Sequence, residues 1–417
     1  MIEKVLCTAP LTSILIDTNK GIRPCCYYEG DFLGNIKEQT IKEIMSNEKW
    51  QKLKEQMYAK EWPTECLGCK KIEDDSGVSL RHSYIGDGGI DTDGWEDEKV
   101  TILEFNGSNI CNLACVHCHG GFSSKWVIEA KKVREYTISK QFDPETEDRM
   151  LTQYRSLAEK TDNNRYQSTN SMHVPDSDLV LENIKQLDLS KLKMAIFKGG
   201  EPMLNDETMQ VLIYLDEINL LGNISVSIST NGTYVNEKVV ELLAKCKDVQ
   251  YLISIDGIDE LFNYIRYGDA KFDTVEKVLA IINKLPNTVI AINNTAMNYN
   301  AFSLLEIRDW AIKMSKTYNR LAPMVNFNNF VQSPLYLSMN TLTDDTRKYL
   351  IKYYTDNSIN DEFKYVINVL SNNYVGDAIH SKWIEYTKIM EEVRGNNITD
   401  IVPQLKKELE EKHYGTY

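Results

Sequence analysis

The stretch Cys111-Asn112-Leu113-Ala114-Cys115-Val116-His117-Cys118 decides how the rest of the chain is interpreted. Its three cysteines have the spacing CxxxCxxC, and they follow an apolar run at residues 100–105 that predicts a buried strand. Three thiolates can bind three irons of a [4Fe–4S] cluster and leave the fourth iron open to a small ligand. Structural zinc is the alternative, because His119 could complete a closed set of four ligands.

The composition predicts a soluble, cytoplasmic protein of two or three units. The 417 residues are 42% hydrophobic and 26% charged, and they contain no apolar run long enough for a transmembrane helix. Residues 1–6 lack the apolar core of a signal peptide. Nine cysteines in a reducing compartment favour metal or redox chemistry over disulfides. The net charge of −14 disfavours nucleic acid as a partner and leaves peptides and small metabolites open.

Residues 96 to about 335 alternate short apolar runs with helical patterns, which is typical of a parallel sheet built from βα units. The runs are residues 100–105, 194–197, 224–229, 251–255, 289–292 and 324–327. Six such strands predict an α/β fold, a partial (β/α)6 barrel of the TIM type, in which functional residues gather at the C-terminal ends of the strands. The polar residues 140–175 are interpreted as an inserted loop or lid.

Two further units flank this predicted barrel. In residues 1–95, residues 11–17 and 22–28 predict two strands joined by a turn, and Thr40-Ile41-Lys42-Glu43 predicts a capping box that opens a helix. The tail, residues 336–417, predicts a helical extension. Its helical patterns cover residues 344–354, 362–370, 378–393 and 401–412.

The cysteine loop at residues 111–118 resembles the signature of the radical SAM superfamily. The resemblance implies that Cys111, Cys115 and Cys118 hold a [4Fe–4S] cluster whose open iron binds S-adenosylmethionine (SAM). It also implies that one electron, from a donor such as flavodoxin or ferredoxin, cleaves SAM to methionine and a 5′-deoxyadenosyl radical, which takes a hydrogen atom from the substrate. His117 stands where the family usually has an aromatic residue near the adenine.

Later motifs resemble the same family in the expected order. Lys198-Gly199-Gly200-Glu201-Pro202 is similar to the family's GGEP motif, which implies that Glu201 holds the SAM amino group. Residues 227–232 resemble the TNG stretch, residues 254–257 resemble the segment that binds the SAM ribose and carboxylate, and Arg266 matches an arginine that reaches the carboxylate. The cofactor-binding residues implied are His117, Gly199, Gly200, Glu201, Pro202, Ser229, Asn231, Ser254, Asp256 and Arg266.

The N-terminal cysteines form a second group. Residues 25–36, followed by a predicted helix and a CxxC, resemble the SPASM/twitch auxiliary-cluster domains of radical SAM enzymes, here placed before the barrel instead of after it. The resemblance implies a second [4Fe–4S] cluster held by Cys7, Cys25, Cys66 and Cys69, with Cys25 and Cys26 able to exchange roles. Four cysteine ligands favour an electron-transfer role, and a zinc knuckle is the alternative.

The resemblance implies a peptide or protein substrate that is oxidised, cross-linked or epimerised. Radical oxidation or rearrangement of a small metabolite, such as a sugar or nucleotide, is the alternative, and a non-catalytic iron–sulfur or zinc scaffold is a remote third. Epimerisation needs a cysteine that returns a hydrogen atom, for which Cys26 and Cys246 are the candidates. The spacing of Cys246 places it on the apolar face of a predicted helix.

Overall fold

The computed structural model describes residues 5–76, 79–85, 97–140, 176–331 and 333–410. These residues form one nine-stranded sheet with the order β3-β2-β1-β4-β5-β6-β7-β8-β9. The strands are β1 (Ser13–Ile16), β2 (Gly21–Arg23), β3 (Gly34–Asn35), β4 (Ile102–Asn106), β5 (Met194–Lys198), β6 (Ser225–Thr230), β7 (Asp248–Ser254), β8 (Thr288–Ala296) and β9 (Leu321–Phe330). Strands β4 to β9 run parallel and are linked by helices, so the prediction of a partial α/β barrel is confirmed.

The helices lie between the strands and in the C-terminal tail. They are α1 (Ala9–Thr12), α2 (Ile41–Ser46), α3 (Glu48–Ala59), α4 (Leu67–Ser76), α5 (Leu80–Tyr84), α6 (Ser124–Ser139), α7 (Ser177–Ile184), α8 (Asp206–Glu217), α9 (Glu237–Leu243), α10 (Asp259–Ile265), α11 (Asp273–Ile282), α12 (Leu304–Ser315), α13 (Asp344–Asn357), α14 (Lys364–Ser371), α15 (Asp377–Arg394), α16 (Ile398–Ile401) and α17 (Lys406–Glu410). The predicted insert at 140–175 lies outside the described residues except at its first position.

The N-terminal residues extend the barrel sheet. Strand β1 pairs in parallel with β4, and β2 and β3 continue the sheet as an antiparallel hairpin and a short edge strand. The prediction of a strand from residue 11 was wrong at its start, because Pro10 in the first turn favours the short helix α1 and the strand begins at Ser13. The predicted capping box is confirmed, since the Glu43 amide donates to Thr40 Oγ1 and the Thr40 amide donates to Glu43 Oε2.

Three of the four helices predicted in the tail are present as α13, α14 and α15. The fourth prediction, one helix over 401–412, was wrong as far as the structure describes it. Helix α16 ends at Ile401, a 3-10 turn covers Pro403–Leu405, and α17 follows. Pro403 lacks the amide that a continuing helix would need, so the helix is interrupted there.

Alternation along the strands separates an outer face, packed against helices, from an inner face. In β5, Ala195 and Phe197 are buried in the outer core, while Met194, Ile196 and Lys198 are half-buried on the inner face. On β4, Ile102 packs against Tyr84 and Ala9, so the N-terminal unit covers the inner face there. The inner faces at the C-terminal ends of the strands surround the candidate site.

Candidate active site

A cavity of about 460 Å³ lies at the C-terminal ends of the barrel strands. Its wall contains ten of the predicted site residues: Cys111, Cys115, His117, Cys118, Gly199, Gly200, Ser229, Asn231, Ser254 and Arg266. Three others, Glu201, Pro202 and Asp256, are buried behind the wall. The structure therefore brings most of the sequence-predicted site into contact with one space.

The cysteine loop is held by backbone pairing to the end of α10 and to the segment that follows it. The amide of Ala114 donates to the Tyr267 carbonyl at 2.6 Å, and the amide of Val116 donates to the Ile265 carbonyl at 2.8 Å. Leu113 and Gly268 form an isolated antiparallel bridge. With its backbone fixed in this way, the loop presents all three thiols to the cavity.

The two glycines after β5 allow the cysteine loop to pack closely. Gly199 has a φ of +112°, a backbone conformation that residues other than glycine rarely adopt. A Cβ on Gly200 would lie 2.8 Å from the carbonyl carbon of Ile110, and nearer still to its oxygen. The Glu201 amide also donates to the Ile110 carbonyl, at 2.7 Å. The pair of glycines therefore seats the chain that leads into the first cysteine.

The Glu201 carboxylate is fully buried and turned into the protein. It accepts hydrogen bonds from Thr230 Oγ1 at 2.6 Å, from the Asn231 amide at 2.8 Å and from the Met203 amide at 3.1 Å. Burial raises the pKa of Glu201, while the hydrogen bonds from Thr230 and Asn231 oppose that rise. In this structure Glu201 joins the turn after β5 to the turn after β6, and Pro202 opens a 3-10 turn behind it.

Asn231, the residue after β6, connects the end of that strand to the cysteine loop. Its Nδ2 lies 2.9 Å from Asn112 Oδ1 and 3.8 Å from Cys111 Sγ. Thr233 fixes the amide, because its backbone N–H donates to Asn231 Oδ1 at 2.9 Å. An N–H group held beside a cysteine sulfur is the kind of contact that tunes an iron–sulfur cluster.

Arg266, Asp256 and His117 form a buried charged group beside Cys115. Arg266 Nη2 lies 2.7 Å from Asp256 Oδ2, and its Nη1 lies 3.8 Å from Cys115 Sγ. Burial lowers the pKa of Arg266, but the Asp256 carboxylate outweighs that effect and the pKa is raised. Burial also lowers the pKa of His117 to about 4, so its ring is neutral at pH 7. The Arg266 guanidinium therefore lines the cavity at this corner, with its charge paired to Asp256.

The residues around the cavity fit a cluster with a polar cofactor beside it. Among the described residues, His117 Nδ1 and Arg266 Nε are buried without a hydrogen-bond partner. Buried polar atoms are normally paired, so these two are suited to a bound molecule. Across the same residues, no three His, Cys, Asp or Glu side chains are close enough to share one metal ion. The thiols of the loop line the wall of a larger space instead.

Burial dominates the chemistry of the free thiols. It raises the pKa of Cys118 to about 12, and it raises the pKa values of Cys111 and Cys115 as well. These thiols are therefore protonated at pH 7 in the free protein. Because metal binding requires thiolates, cluster assembly on this loop must release protons.

A second cavity lies in the N-terminal unit and contains the four cysteines predicted for the auxiliary cluster. Its wall includes Cys7, Cys25, Cys66 and Cys69, surrounded by apolar side chains such as Trp62. Burial is the first cause that raises the pKa of Cys25, and the neighbouring Cys7 raises it further. Four thiols in one mostly apolar space are a donor set that suits a fully ligated iron–sulfur cluster.

Cys26 is turned away from that second cavity. Its Sγ lies 3.9 Å from Lys198 Nζ, and burial followed by the Glu104 carboxylate raises its pKa to about 11. Lys198 belongs to the wall of the first cavity, so Cys26 lies between the two cysteine sites. Cys246 lies in the hydrophobic core, where its Sγ contacts the Leu242 carbonyl oxygen at 3.7 Å.

Several residues of the site escaped the sequence analysis. Lys198 gave no signal beyond its place before the two glycines, but its partner Glu104 is a charged residue inside an apolar strand, which is a signal for a buried ion pair. Asn112 and Thr233 carry no pattern of their own. The donors on α15 and α6 that contact the cysteine loop are distant in sequence, and no spacing links them to it.

Family models match most of these regions. Residues 105–310 match the model described as the radical SAM superfamily, and residues 7–70 match SPASM, described as an iron–sulfur cluster-binding domain. Two uncharacterised proteins of Methanocaldococcus jannaschii are similar in part. MJ0907 is 30% identical over 28% of this chain and 46% of its own length, and MJ0103 is 31% identical over 28% and 27%. The matched stretches thus span less than half of each relative.

Solved structures of similar chains were also found. The structure of anSMEcpe with bound AdoMet and a Cp18Cys peptide is 19% identical, covers 66% of this chain and 62% of its own, and has a TM-score of 0.38. Streptococcus suis SuiB bound to the precursor peptide SuiA is 17% identical over 69% and 52%, with a TM-score of 0.34. TYW1 with a lysine-pyruvate adduct is 15% identical over 75% and 91%, with a TM-score of 0.30.

Each of the two family models contains one of the two cysteine groups. The radical SAM model covers the cysteines of the first cavity, and the SPASM model covers those of the second. The described residues include no helix that is both long enough and apolar enough to cross a membrane. The chain carries a radical SAM domain at residues 105–310 and a SPASM iron–sulfur domain ahead of it.

Proposed function

We propose that the chain is a radical SAM enzyme that takes a hydrogen atom from a peptide or protein substrate and oxidises, cross-links or epimerises it. The observation that carries this proposal is the first cavity, which joins Cys111, Cys115 and Cys118 to the strand-end residues in one space. Cys111, Cys115 and Cys118 would hold a [4Fe–4S] cluster there, which would supply the electron for cleavage of SAM and so the radical chemistry.

The chain's own residues would bind and orient SAM. Arg266 offers Nε, buried and without a partner among the described residues, to the SAM carboxylate, and a guanidinium suits a carboxylate well. His117 offers its neutral ring and a buried Nδ1 near the adenine. Ser229 and Ser254 expose hydroxyl groups to the cavity wall, where they can donate to or accept from the cofactor.

The inner face of the sheet beyond the cavity carries polar, uncharged side chains that suit a peptide substrate. Ser254, Asn293 and Asn326 are neighbours in register across β7, β8 and β9. Ser254 lines the cavity, and Asn326 is exposed. The amide side chains of Asn293 and Asn326 donate and accept like the peptide backbone, so they could bind N–H and C=O groups of a peptide. The net charge of −14 also favours basic or neutral substrates.

The second cavity would hold the auxiliary cluster on Cys7, Cys25, Cys66 and Cys69. Four protein ligands leave no position for substrate, which favours electron transfer. In an oxidation, the substrate radical left after hydrogen-atom removal would lose one further electron to this site and one proton to solvent. The site lies on the inner face next to β4 and β5, where it could accept that electron. A flavodoxin or ferredoxin would supply electrons to the first site.

A co-expression experiment tests the substrate. The gene is expressed with each short open reading frame beside it, in light or heavy water, and the encoded peptides are analysed by mass spectrometry. Loss of two hydrogens indicates oxidation or cross-linking, and incorporation of one deuterium indicates epimerisation. Unchanged peptides together with an altered small sugar or nucleotide would overturn the peptide proposal in favour of the metabolite alternative.

A further inference from the structure

Three consecutive carbonyl groups of the cysteine loop each accept a hydrogen bond from a different buried side chain. Arg394 Nη2 donates to the Ala114 carbonyl at 2.8 Å, Trp126 Nε1 to Cys115 at 2.6 Å, and Tyr386 Oη to Val116 at 2.9 Å. Arg394 and Tyr386 belong to α15, which lies about 270 residues further along the chain. Trp126 belongs to α6.

These contacts add to the hydrogen bonds that the loop backbone already makes. The amides of Ala114 and Val116 already donate to Tyr267 and to the last residue of α10, and the amide of Cys118 donates to the Cys115 carbonyl at 2.9 Å. With amides and carbonyls both engaged, the loop has its conformation fixed from two sides. The thiols are the groups that remain directed at the cavity.

The Arg394 side chain is buried, and its guanidinium contacts both a carboxylate and two aromatic rings. Its side chain is 1% exposed, and its Nε lies 3.1 Å from the equally buried Glu129 Oε1. Its guanidinium carbon lies 4.4 Å from the ring centre of Tyr267 and 5.5 Å from that of Trp126. A well-packed apolar pair often stabilises a core as well as a buried ion pair does, so stability alone does not explain an arginine here.

We propose that Arg394 and Tyr386 are positioning residues that hold the cysteine loop ready for its cluster, and that the Arg394 charge favours the reduced cluster. The C-terminal helices would then be part of the machinery of the first site. The effect of Arg394 on the cluster rests on the proposed function. The effect on the conformation of the cysteine loop does not require a bound cluster. A fixed positive charge beside a cluster stabilises the state with one more electron, so it raises the reduction potential.

The first test measures amide hydrogen exchange in the full-length apo protein. We compare the wild type with R394Q, Y386F and R347Q. Arg347 is a matched control, because it is also a buried arginine of the C-terminal helices and donates to the Leu370 carbonyl at 3.0 Å, away from the cysteine loop. We expect exchange at residues 114–118 to be at least about tenfold faster in R394Q and Y386F, and unchanged in R347Q. Equal protection of the loop in all four proteins would overturn the proposal.

The second test measures the midpoint potential of the first cluster by a redox titration followed by electron paramagnetic resonance. We expect a negative shift in R394Q, recovery in R394K, which keeps the charge, and no shift in Y386F, which removes only a hydroxyl. A potential in R394Q equal to that of R347Q would refute the electrostatic part. If R394Q does not fold, amide exchange in Y386F still tests whether a side chain of α15 holds the loop. R394K, which keeps the charge but lacks the guanidinium, then tests whether the hydrogen bonds of the guanidinium are needed. A wild type that binds no cluster would defeat the proposed function and leave the exchange result standing.

Discussion

Lys198 Nζ lies 2.8 Å from Glu104 Oε1, and this ion pair joins the last residue of β5 to the middle of β4 between the two cysteine sites. Glu104 is 1% exposed and Lys198 is 36% exposed. Burial lowers the pKa of Lys198, but Glu104 outweighs it and raises the pKa, so the lysine is charged at pH 7. The pair therefore depends on Lys198 to compensate a carboxylate that cannot reach water.

Replacing each partner should have unequal effects. K198M leaves a buried charge unpaired, and we expect it to lower the free energy of unfolding by about 2 kcal/mol, less than for a fully buried pair because Lys198 is partly solvated. E104Q removes the charge that needs compensation and should cost less. Urea denaturation measures both, and a larger loss in E104Q than in K198M would contradict this account of the pair.

Iron content distinguishes the roles of Cys25 and Cys26. Two [4Fe–4S] clusters contain about eight irons per chain. C25A removes a thiol from the second cavity, and we expect it to retain about four, whereas C26A should retain about eight because Cys26 faces Lys198 instead. Iron assay after anaerobic reconstitution gives the answer. Loss of half the iron from C26A, with C25A intact, would assign the ligand to Cys26.

A methyl group on Gly200 should disturb the cysteine loop. Its Cβ would overlap the Ile110 carbonyl, so we expect G200A to lower the free energy of unfolding by about 2–3 kcal/mol and to reduce the iron bound to the first site. Gly222 is the matched control, since a Cβ there lies 3.8 Å from its nearest neighbour. Thermal denaturation and iron assay of both variants test this, and a stable G200A with normal iron would show that the turn has room to move.

We expect Glu201 to stabilise the fold of the protein even when no cofactor is bound. E201Q replaces one acceptor oxygen with an N–H₂ group that faces the donors from Thr230, Asn231 and Met203. We expect the apo protein to lose about 2 kcal/mol of stability, because hydrogen bonds to a charged group are lost. T230V, which removes one donor, should have a smaller effect. If E201Q is as stable as the wild type yet fails to bind SAM, then Glu201 acts on the cofactor and not on the strand-end turns.

Local patterns predicted the barrel, and the residues predicted for its site lie around one cavity in the structure. The six apolar runs became β4 to β9. Strands of a parallel sheet are covered on both faces, so they take aliphatic residues in short, nearly continuous stretches. The CxxxCxxC loop and the residues after the later strands came together because parallel strands end at one edge of the sheet. The sequence alone was enough for both inferences.

Contacts between distant segments could not be predicted in this way. The direction of the Glu201 carboxylate depends on Thr230 and on the Asn231 amide, which lie on another strand end. The hydrogen bond from Arg394 to Ala114 joins residues 280 positions apart, and no periodicity relates them. Nor does any local pattern show that β1 joins β4 in one sheet, since pairing depends on the tertiary fold.

Reductive cleavage of SAM is the most direct test of the account. The chain is reconstituted anaerobically with iron and sulfide, and it is incubated with dithionite and SAM beside a C115A variant, which lacks one thiol of the first cavity. We predict that the wild type releases 5′-deoxyadenosine and methionine in equal amounts and that C115A releases neither. A wild type that holds its full iron and yields no 5′-deoxyadenosine would contradict the central claim.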